Sequence, residues 1–197
     1  MIHMEPATRV LTDVVAGVGD DQLGAPTPCT EASVGDLVDH VDGLSLAFAA
    51  AAAKTPIGGG GQGPSADASR LGEDWRTRIP KRLATLADVW RDEKAWTGMT
   101  QAGGLDLPGE IAGIVALDEV VVHGWDTAVA SGQSFSCEPH LVAAAHEFAQ
   151  SAVAQNPDGS GRLFGPPVPV PEDAQLLDRL LGLAGRDPAL RPGGSDA

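Results

Sequence analysis

Apolar side chains recur every three or four residues in the first part of the chain, a spacing that predicts amphipathic α-helices. A first helix is predicted over residues 6–18, where Gly19 ends the pattern. Ser33 is a suitable N-cap for a second helix, with Asp36 at its third helical position. This helix is predicted to end near Pro56. Its apolar face comprises Val34, Leu37, Val38, Val41, Leu44 and Phe48.

A glycine-rich stretch separates the second predicted helix from the third. Residues 57–65 contain five glycines and one proline, without the preceding strand and the following Lys-Ser/Thr of a phosphate-binding loop. We therefore interpret this stretch as a linker. The third helix is predicted to begin at Asp67 or Ser69 and to reach Trp90. Pro80 lies inside it and should kink or break it.

The second half of the chain alternates predicted helices with segments rich in glycine or proline. Glycines and alternating leucines favour a short loop or hairpin at 98–109, and prolines favour an extended surface segment at 164–171. A disordered tail is predicted for 191–197. The remaining helices are predicted at 109–130, 139–154 and 172–183.

Helices of these lengths, with no convincing strand ladder, predict an all-α fold. We expect a four-helix bundle with additional C-terminal helices, in a single domain of residues 1–190. Aromatic residues make up 4% of the 197 residues and Tyr is absent, so Ala, Leu and Val must fill most of the core. The four tryptophans are predicted to be large core anchors: Trp75, Trp90, Trp96 and Trp125.

The charge and the cysteine content of the chain indicate which classes of binding partner and which cellular compartment to expect. With 13 Lys and Arg against 27 Asp and Glu, the net charge is −14, which disfavours nucleic acid and anionic lipid. No apolar stretch reaches the roughly 18 residues of a membrane span. The N-terminal residues lack the features of a signal peptide, and two cysteines are too few for a disulfide framework. A cytoplasmic location is therefore expected.

A carboxylate and an imidazole lie four residues apart in the fourth predicted helix. Glu119 and His123 therefore point to the same side, about one turn from each other. An ionised glutamate on a largely apolar face needs a partner, and a metal ion is a strong one. The alternative is an ion pair at the helix surface. Helical spacing alone leaves both interpretations open.

A second histidine interrupts the apolar face of the second predicted helix. His40 follows Leu37 by three residues and precedes Leu44 by four. A lone histidine in such a place is usually a satisfied core residue. Together with Glu119 and His123, however, it would complete a set of two histidines and one carboxylate that leaves coordination positions free. We therefore regard these three residues as a candidate site for Zn²⁺, Fe²⁺ or Ni²⁺.

Two aspartates flank the candidate pair. Asp126 follows His123 by three residues and could accept its second ring N–H, the orienting role of a group outside the metal shell. It could equally be a solvated acid in the last turns of the helix, and the sequence favours this second interpretation. Asp118 directly precedes Glu119 and has no predicted role.

The other histidines and the cysteines offer no clear chemistry. His140 and His146 are predicted to lie at the surface of the fifth helix, on different faces. Cys29 is predicted to be buried as a small hydrophobic residue, since its spacing from His40 defines no geometry for a nucleophile and base. Cys137 lies in a predicted loop without a basic neighbour to lower its pKa.

Two motifs and the C-terminal part of the chain resemble a known family. The first motif is TPC at 27–29 followed by V-x-x-L-x-x-H at 34–40, and the second is EVVVHGWD at 119–126. The C-terminal part contributes FGP at 164–166, VPVP at 168–171, DRL at 178–180 and GRDP at 185–188. Together they resemble an actinobacterial family of DinB-like proteins related to the metal-binding domain of mycothiol-dependent maleylpyruvate isomerase.

The resemblance implies a DinB-like four-helix bundle that binds a divalent metal, typically zinc, through His40, Glu119 and His123. Some members of the family isomerise substrates or transfer groups with the help of the thiol mycothiol. The resemblance thus implies a metal-dependent, thiol-assisted transferase or isomerase whose partners are a small thiol and a small electrophile. The alternative is a non-catalytic bundle that binds a metal or a small ligand. This chain has Ala32 where the first motif usually has Trp, which implies a different pocket shape near the second helix.

Overall fold

Six α-helices, three short 3-10 helices and one small hairpin make up the regular structure of the described residues. The computed structural model describes residues 1–30, 32–55, 66–158 and 164–190. The helices are α1 (Glu5–Ala16), α2 (Val34–Ala52), α3 (Trp75–Val89), α4 (Gly109–Ala130), α5 (Pro139–Gln155) and α6 (Leu176–Leu183). The strands are β1 (Met99–Ala102) and β2 (Leu105–Pro108). The prediction of an all-α fold is confirmed.

The first four helices form the bundle. Helix α2 packs against α3 and α4, and α1 packs against the same two helices from the other side. Helix α5 then packs on α4, and α6 on α5, so the C-terminal helices extend the bundle along the outer side of α4. The four tryptophans are buried, as predicted. Among the described residues, no helix is long and apolar enough to cross a membrane.

The start of α2 is fixed by a reciprocal capping interaction. The Asp36 backbone N–H donates to Ser33 Oγ at 3.2 Å, and the Ser33 backbone N–H donates to Asp36 Oδ2 at 3.0 Å. The predicted apolar face of this helix is fully buried. Because the cap sets where the helix begins, it also sets the direction of His40 two turns later. The predicted linker at 57–65 lies outside the described residues.

The third helix begins later than predicted. Residues Ala68–Arg70 form a single 3-10 turn, and α3 begins only at Trp75. Gly72 lies between them with φ of +63°, a left-handed conformation that ends the first turn. The predicted start at Asp67 or Ser69 is therefore wrong. Pro80 does not end the helix, which continues to Val89.

The predicted hairpin at 98–109 is confirmed. Strands β1 and β2 pair antiparallel, with Met99 opposite Pro108 and Ala102 opposite Leu105. The turn consists of Gly103 and Gly104, both with positive φ, as a two-residue hairpin of matching twist requires. The hairpin leads directly into α4, which carries two of the three candidate ligands.

The last helix is shorter than predicted. It begins at Leu176 rather than Glu172, because residues 172–174 form a turn in which the Ala174 N–H donates to the Pro171 carbonyl at 3.1 Å. Residues 164–171 contain neither helix nor strand, in agreement with the extended segment that was predicted. The predicted tail at 191–197 lies outside the described residues.

Candidate metal centre

Helices α2 and α4 bring the three candidate ligands together. Nε2 of His123 lies 2.9 Å from Oε2 of Glu119, and Nε2 of His40 lies 3.5 Å from the same oxygen. The two imidazole rings meet edge to face, with their centroids 5.0 Å apart. One ligand atom from each residue can be chosen so that all three lie within 4.8 Å of one another. His40 and Glu119 are far apart in the sequence, and the packing of α2 against α4 brings them together.

The spacing of the ligand atoms fits a divalent ion. Ligand bonds of about 2.0–2.1 Å in a tetrahedral zinc site place neighbouring ligand atoms about 3.3 Å apart. The distances of 2.9 and 3.5 Å lie on either side of that value. Oε2 of Glu119 is shielded from solvent and makes no hydrogen bond of good geometry, although both rings approach it. A buried carboxylate oxygen without such a bond is a natural ligand for a cation.

The charges in this site stabilise each other. Burial alone would raise the pKa of Glu119, but the adjacent His123 and His40 hold it well below its usual range. Burial also opposes a charged His123 ring, but Asp126 and Glu119 outweigh burial and raise the pKa of His123 to about 10. The three side chains are 12–22% exposed, so the site is largely enclosed by the protein. A divalent cation would satisfy the same carboxylate while taking the place of the proton on His123.

The residue after His123 must be small. A Cβ atom on Gly124 would lie 2.7 Å from Cε2 of Phe135, so the ring of Phe135 occupies the space beside the α4 backbone. Phe135 belongs to the connection between α4 and α5. The Gly124 position therefore allows this connection to pack directly beside the candidate ligand His123.

Asp126 is not solvated. Its exposed fraction is 0%, and its Oδ2 atom lies 3.1 Å from Nδ1 of His123. The interpretation favoured by the sequence, a solvated acid near the helix end, is therefore wrong. In the His123 ring, Nδ1 faces the Asp126 carboxylate and Nε2 faces Glu119. Carboxylates that orient a metal-binding histidine from outside the metal shell occupy this position.

Arg186 is the partner of Asp126 and was not among the predicted site residues. Arg186 lies after α6, and its guanidinium donates from Nε to Asp126 Oδ1 at 3.2 Å and from Nη2 to Oδ2 at 2.9 Å. Only 8% of Arg186 is exposed. Its position in the sequence motif GRDP gave no indication of a contact with α4, because 60 residues separate it from Asp126.

A second acid lies buried beside the site. Asp118 is 3% exposed, and its Oδ1 has no hydrogen-bond partner among the described residues. Burial, assisted by the charge of Glu119, raises the pKa of Asp118 well above its ordinary value. The burial of Asp118 was not predicted, since adjacency to Glu119 does not reveal which face of α4 is covered.

The other histidines and the cysteines are not part of the candidate metal centre. His146 is 7% exposed, because α6 covers α5, so the prediction that it lies at the surface is wrong. His140 is exposed and pairs with Glu138 at 3.3 Å, as predicted for a surface residue. Burial raises the pKa of the Cys137 thiol to about 11, which makes that thiol a poor nucleophile. Cys29 is only partly buried rather than a core residue, and it lies within electrostatic reach of Arg186.

One sizeable pocket lies away from the three candidate ligands. Its volume is about 240 Å³, and it is lined by Lys54, Thr55, Met99, Thr100, Gln101 and Asp106. None of the three candidate ligands lines it. The chemistry of the donor set, and not the depth of this pocket, identifies the candidate centre.

Comparison with known proteins places the chain in a family. Residues 4–128 match the model of the mycothiol maleylpyruvate isomerase N-terminal domain. Two similar proteins are the uncharacterized proteins MT0763 and Rv0738 of Mycobacterium tuberculosis, from strains CDC 1551 / Oshkosh and H37Rv. Each is 32% identical to this chain over 190 residues, which cover 94% of the chain and 96% of the relative. No solved structure gives a significant match. The helical bundle, the two sequence motifs and the matched region agree: the chain belongs to the family of the mycothiol maleylpyruvate isomerase N-terminal domain, with its DinB-like fold.

Proposed function

We propose that this protein binds a divalent metal ion, most suitably Zn²⁺, through His40, Glu119 and His123. The observation that carries the proposal is the convergence of the three ligand atoms from two helices around one shielded carboxylate oxygen. Three protein ligands leave at least one position for a further ligand, the arrangement of catalytic rather than structural zinc sites. The three side chains are 12–22% exposed, so the site is not fully sealed from solvent.

We further propose that the protein is a thiol-assisted transferase or isomerase that acts on a small electrophile. A divalent ion held by these residues would lower the pKa of a coordinated thiol and so would favour the thiolate, which is the nucleophilic form. The family of the chain makes mycothiol the first thiol to test. The residues of the chain would bind and orient: Glu119 balances the charge of the ion, and Asp126 fixes the ring of His123.

A second candidate function is metal or small-ligand binding without turnover. The observation in its favour is that none of the three ligands lines the pocket of about 240 Å³. Both functions suit a protein of net charge −14, a charge that disfavours binding to nucleic acid. We propose a cytoplasmic location for either, where the free thiols of Cys29 and Cys137 remain reduced.

X-ray absorption at the zinc edge separates the two functions. Zinc-loaded protein would be measured before and after titration with mycothiol, with the metal-poor His123→Ala variant as the control. Entry of one sulfur ligand at about 2.3 Å supports the thiol-assisted enzyme. A shell of nitrogen and oxygen ligands that the thiol leaves unchanged contradicts it and favours binding without turnover.

A further inference from the structure

We propose that Arg186 is a positioning residue of the metal centre: it holds Asp126 in place, and Asp126 in turn orients His123. This inference rests on the proposed metal site but concerns a residue outside it. Arg186 also lies beyond residues 4–128, the part of the chain that matches the family domain. The candidate centre would therefore be complete only with the C-terminal part of this chain.

Arg186 and His123 share one oxygen of Asp126. Oδ2 accepts from Nη2 of Arg186 at 2.9 Å and lies 3.1 Å from Nδ1 of His123. Oδ1 accepts from Nε of Arg186 at 3.2 Å, which completes a two-pronged contact. Such a fork fixes the plane of the carboxylate as well as its position. Any rotation of Asp126 would move the oxygen that fixes the His123 ring.

Asp126 and Arg186 are buried, so water does not compete for their contact. Asp126 is 0% exposed and Arg186 is 8% exposed. A buried carboxylate that lost its guanidinium would have to rotate toward another donor or take up a proton. Either change weakens its hold on His123, because that hold depends on a charged oxygen at one fixed place.

The hydrogen bonds of Arg186 argue against a role in binding substrate. Its third nitrogen, Nη1, donates to the carbonyl of Ala184 at 2.7 Å. All three nitrogens thus have acceptors within the protein, and the side chain is nearly covered. A group that meets a substrate anion keeps donors directed at open space. Arg186 is instead directed at Asp126 and at the carbonyl of Ala184.

The C-terminal end of α6 delivers Arg186 to this position. The Arg186 N–H donates to the Leu181 carbonyl at 2.8 Å, and the Gly185 N–H donates to the Gly182 carbonyl at 3.1 Å. Gly185 has φ of +80°, so these bonds form a Schellman motif, which turns the chain sharply at the helix end. The turn sends Arg186 back toward α4 instead of onward from the end of α6.

The extended segment before α6 packs closely against that helix. The Val168 N–H donates to the Gly182 carbonyl at 2.8 Å. A Cβ on Gly182 would lie 2.4 Å from Cγ2 of Val170, so the extended segment lies directly against α6. The proline-rich segment, α6 and the glycine turn therefore form one support for Arg186. This gives the C-terminal motifs of the sequence a physical role.

Zinc affinity of the full-length chain, measured by competition with a chromophoric chelator, tests the proposal. We expect Arg186→Met and Asp126→Asn each to weaken zinc binding by about 10- to 100-fold. Arg186→Lys keeps the charge without the fork and should lose less. In the Asp126→Asn background, Arg186→Met should have less than about a twofold further effect, because its route to His123 is already broken. Arg9→Met, at a surface site 64% exposed, is the matched control and should bind as the unaltered protein does.

Equal affinity of Arg186→Met and the unaltered protein, within about twofold, would overturn the proposal, as would additive effects in the double variant. Circular dichroism establishes that each variant is folded. If Arg186→Met does not fold, Arg186→Lys and Asp126→Asn decide the same question. A purely structural salt bridge predicts lower melting temperatures with unchanged affinity in the folded protein.

A second measurement keeps this inference separate from the proposed function. In metal-free protein labelled with ¹⁵N-histidine, the hydrogen-bonded Nδ1–H of His123 should give a protected proton signal. We expect the signal to be lost in Arg186→Met and kept in Arg9→Met. If the unaltered protein binds no zinc but shows this pattern, the metal site is wrong, and what stands is that Arg186 orients His123 through Asp126. If the signal persists in Arg186→Met, the positioning role is wrong whatever the zinc affinity.

Discussion

Nε2 of His123 lies 2.9 Å from Oε2 of Glu119, one helical turn earlier on α4. The same ring reaches Asp126 through its other nitrogen. A charged His123 ring therefore lies between the buried Asp126 and the partly buried Glu119 in the metal-free protein. A metal ion bound at Nε2 would take over the role of the proton there.

The metal-free protein should lose stability as the pH rises from about 6.5 toward 10. The pKa of His123 is raised to about 10 in the folded protein, against an ordinary value of 6.5. A raised pKa means that the folded state holds the proton more tightly, so its contribution is complete below 6.5 and disappears as the pH passes through 10. Each unit corresponds to about 1.4 kcal/mol, so the change should amount to a few kcal/mol.

Urea denaturation of chelator-treated protein across this pH range measures that dependence. His123→Gln should show a flatter profile than the unaltered protein. His140→Gln, which alters an exposed histidine, serves as the control and should keep the original slope. Identical slopes for His123→Gln and the unaltered protein would contradict the assignment.

Asp118→Asn should stabilise the protein at neutral and higher pH. The pKa of Asp118 is raised in the folded state, so this acid costs stability increasingly as the pH rises above its ordinary 3.8. Asparagine has the same size and no charge to bury. We expect a higher melting temperature at pH 7.5, by about 2–4 °C for each kcal/mol gained, and a smaller difference near pH 4.

Asp88→Asn is the comparison for Asp118→Asn, because the Asp88 side chain is 72% exposed. Differential scanning calorimetry at several pH values gives both results. A destabilising effect of Asp118→Asn that is the same at pH 4 and pH 7.5 would show that the carboxyl group contributes to packing and not through its charge.

Much of the bundle follows from local features that a sequence displays. The Ser33 cap and the apolar face after it predicted α2 correctly, since both depend on neighbouring residues. The starts of α3 and α6 were predicted too early. In both places a turn precedes the helix: Gly72 adopts a left-handed conformation, and residues 172–174 fold on themselves. Periodicity alone does not distinguish such a turn from the first turn of a helix.

The parts of the candidate site that depend on helical spacing or on the family resemblance could be predicted from the sequence. The parts that depend on which side chains are buried could not. Glu119 and His123 share a side of α4 by their spacing, and the resemblance implied His40. The environment of Asp126 could not be predicted, because the arginine that buries it comes from another part of the chain. The prediction for His146 was wrong for the same reason, since the sequence did not show that α6 packs over it.

Gly113→Ala should destabilise the bundle. A Cβ at this position of α4 would lie 2.6 Å from Cζ3 of Trp96 and 2.9 Å from Cζ3 of Trp90. The two indoles pack edge to face and are buried, so neither can move freely. We expect a loss of about 1–3 kcal/mol in the free energy of unfolding.

Gly24→Ala is the matched control for Gly113→Ala. A Cβ on Gly24 would meet nothing within 4 Å, so the substitution should leave stability nearly unchanged. Chemical denaturation of both variants measures the difference. Equal stabilities for the two variants would mean that Trp90 and Trp96 adapt to the added methyl group at little cost.

The most direct test of the account is the zinc content of the chain after removal of all metal, reloading with Zn²⁺ and gel filtration. Elemental analysis should find about one zinc per chain in the unaltered protein and in His140→Ala, and far less in His40→Ala, Glu119→Gln and His123→Ala. No retained zinc in the unaltered protein, or the same content in His123→Ala, would contradict the proposed metal centre.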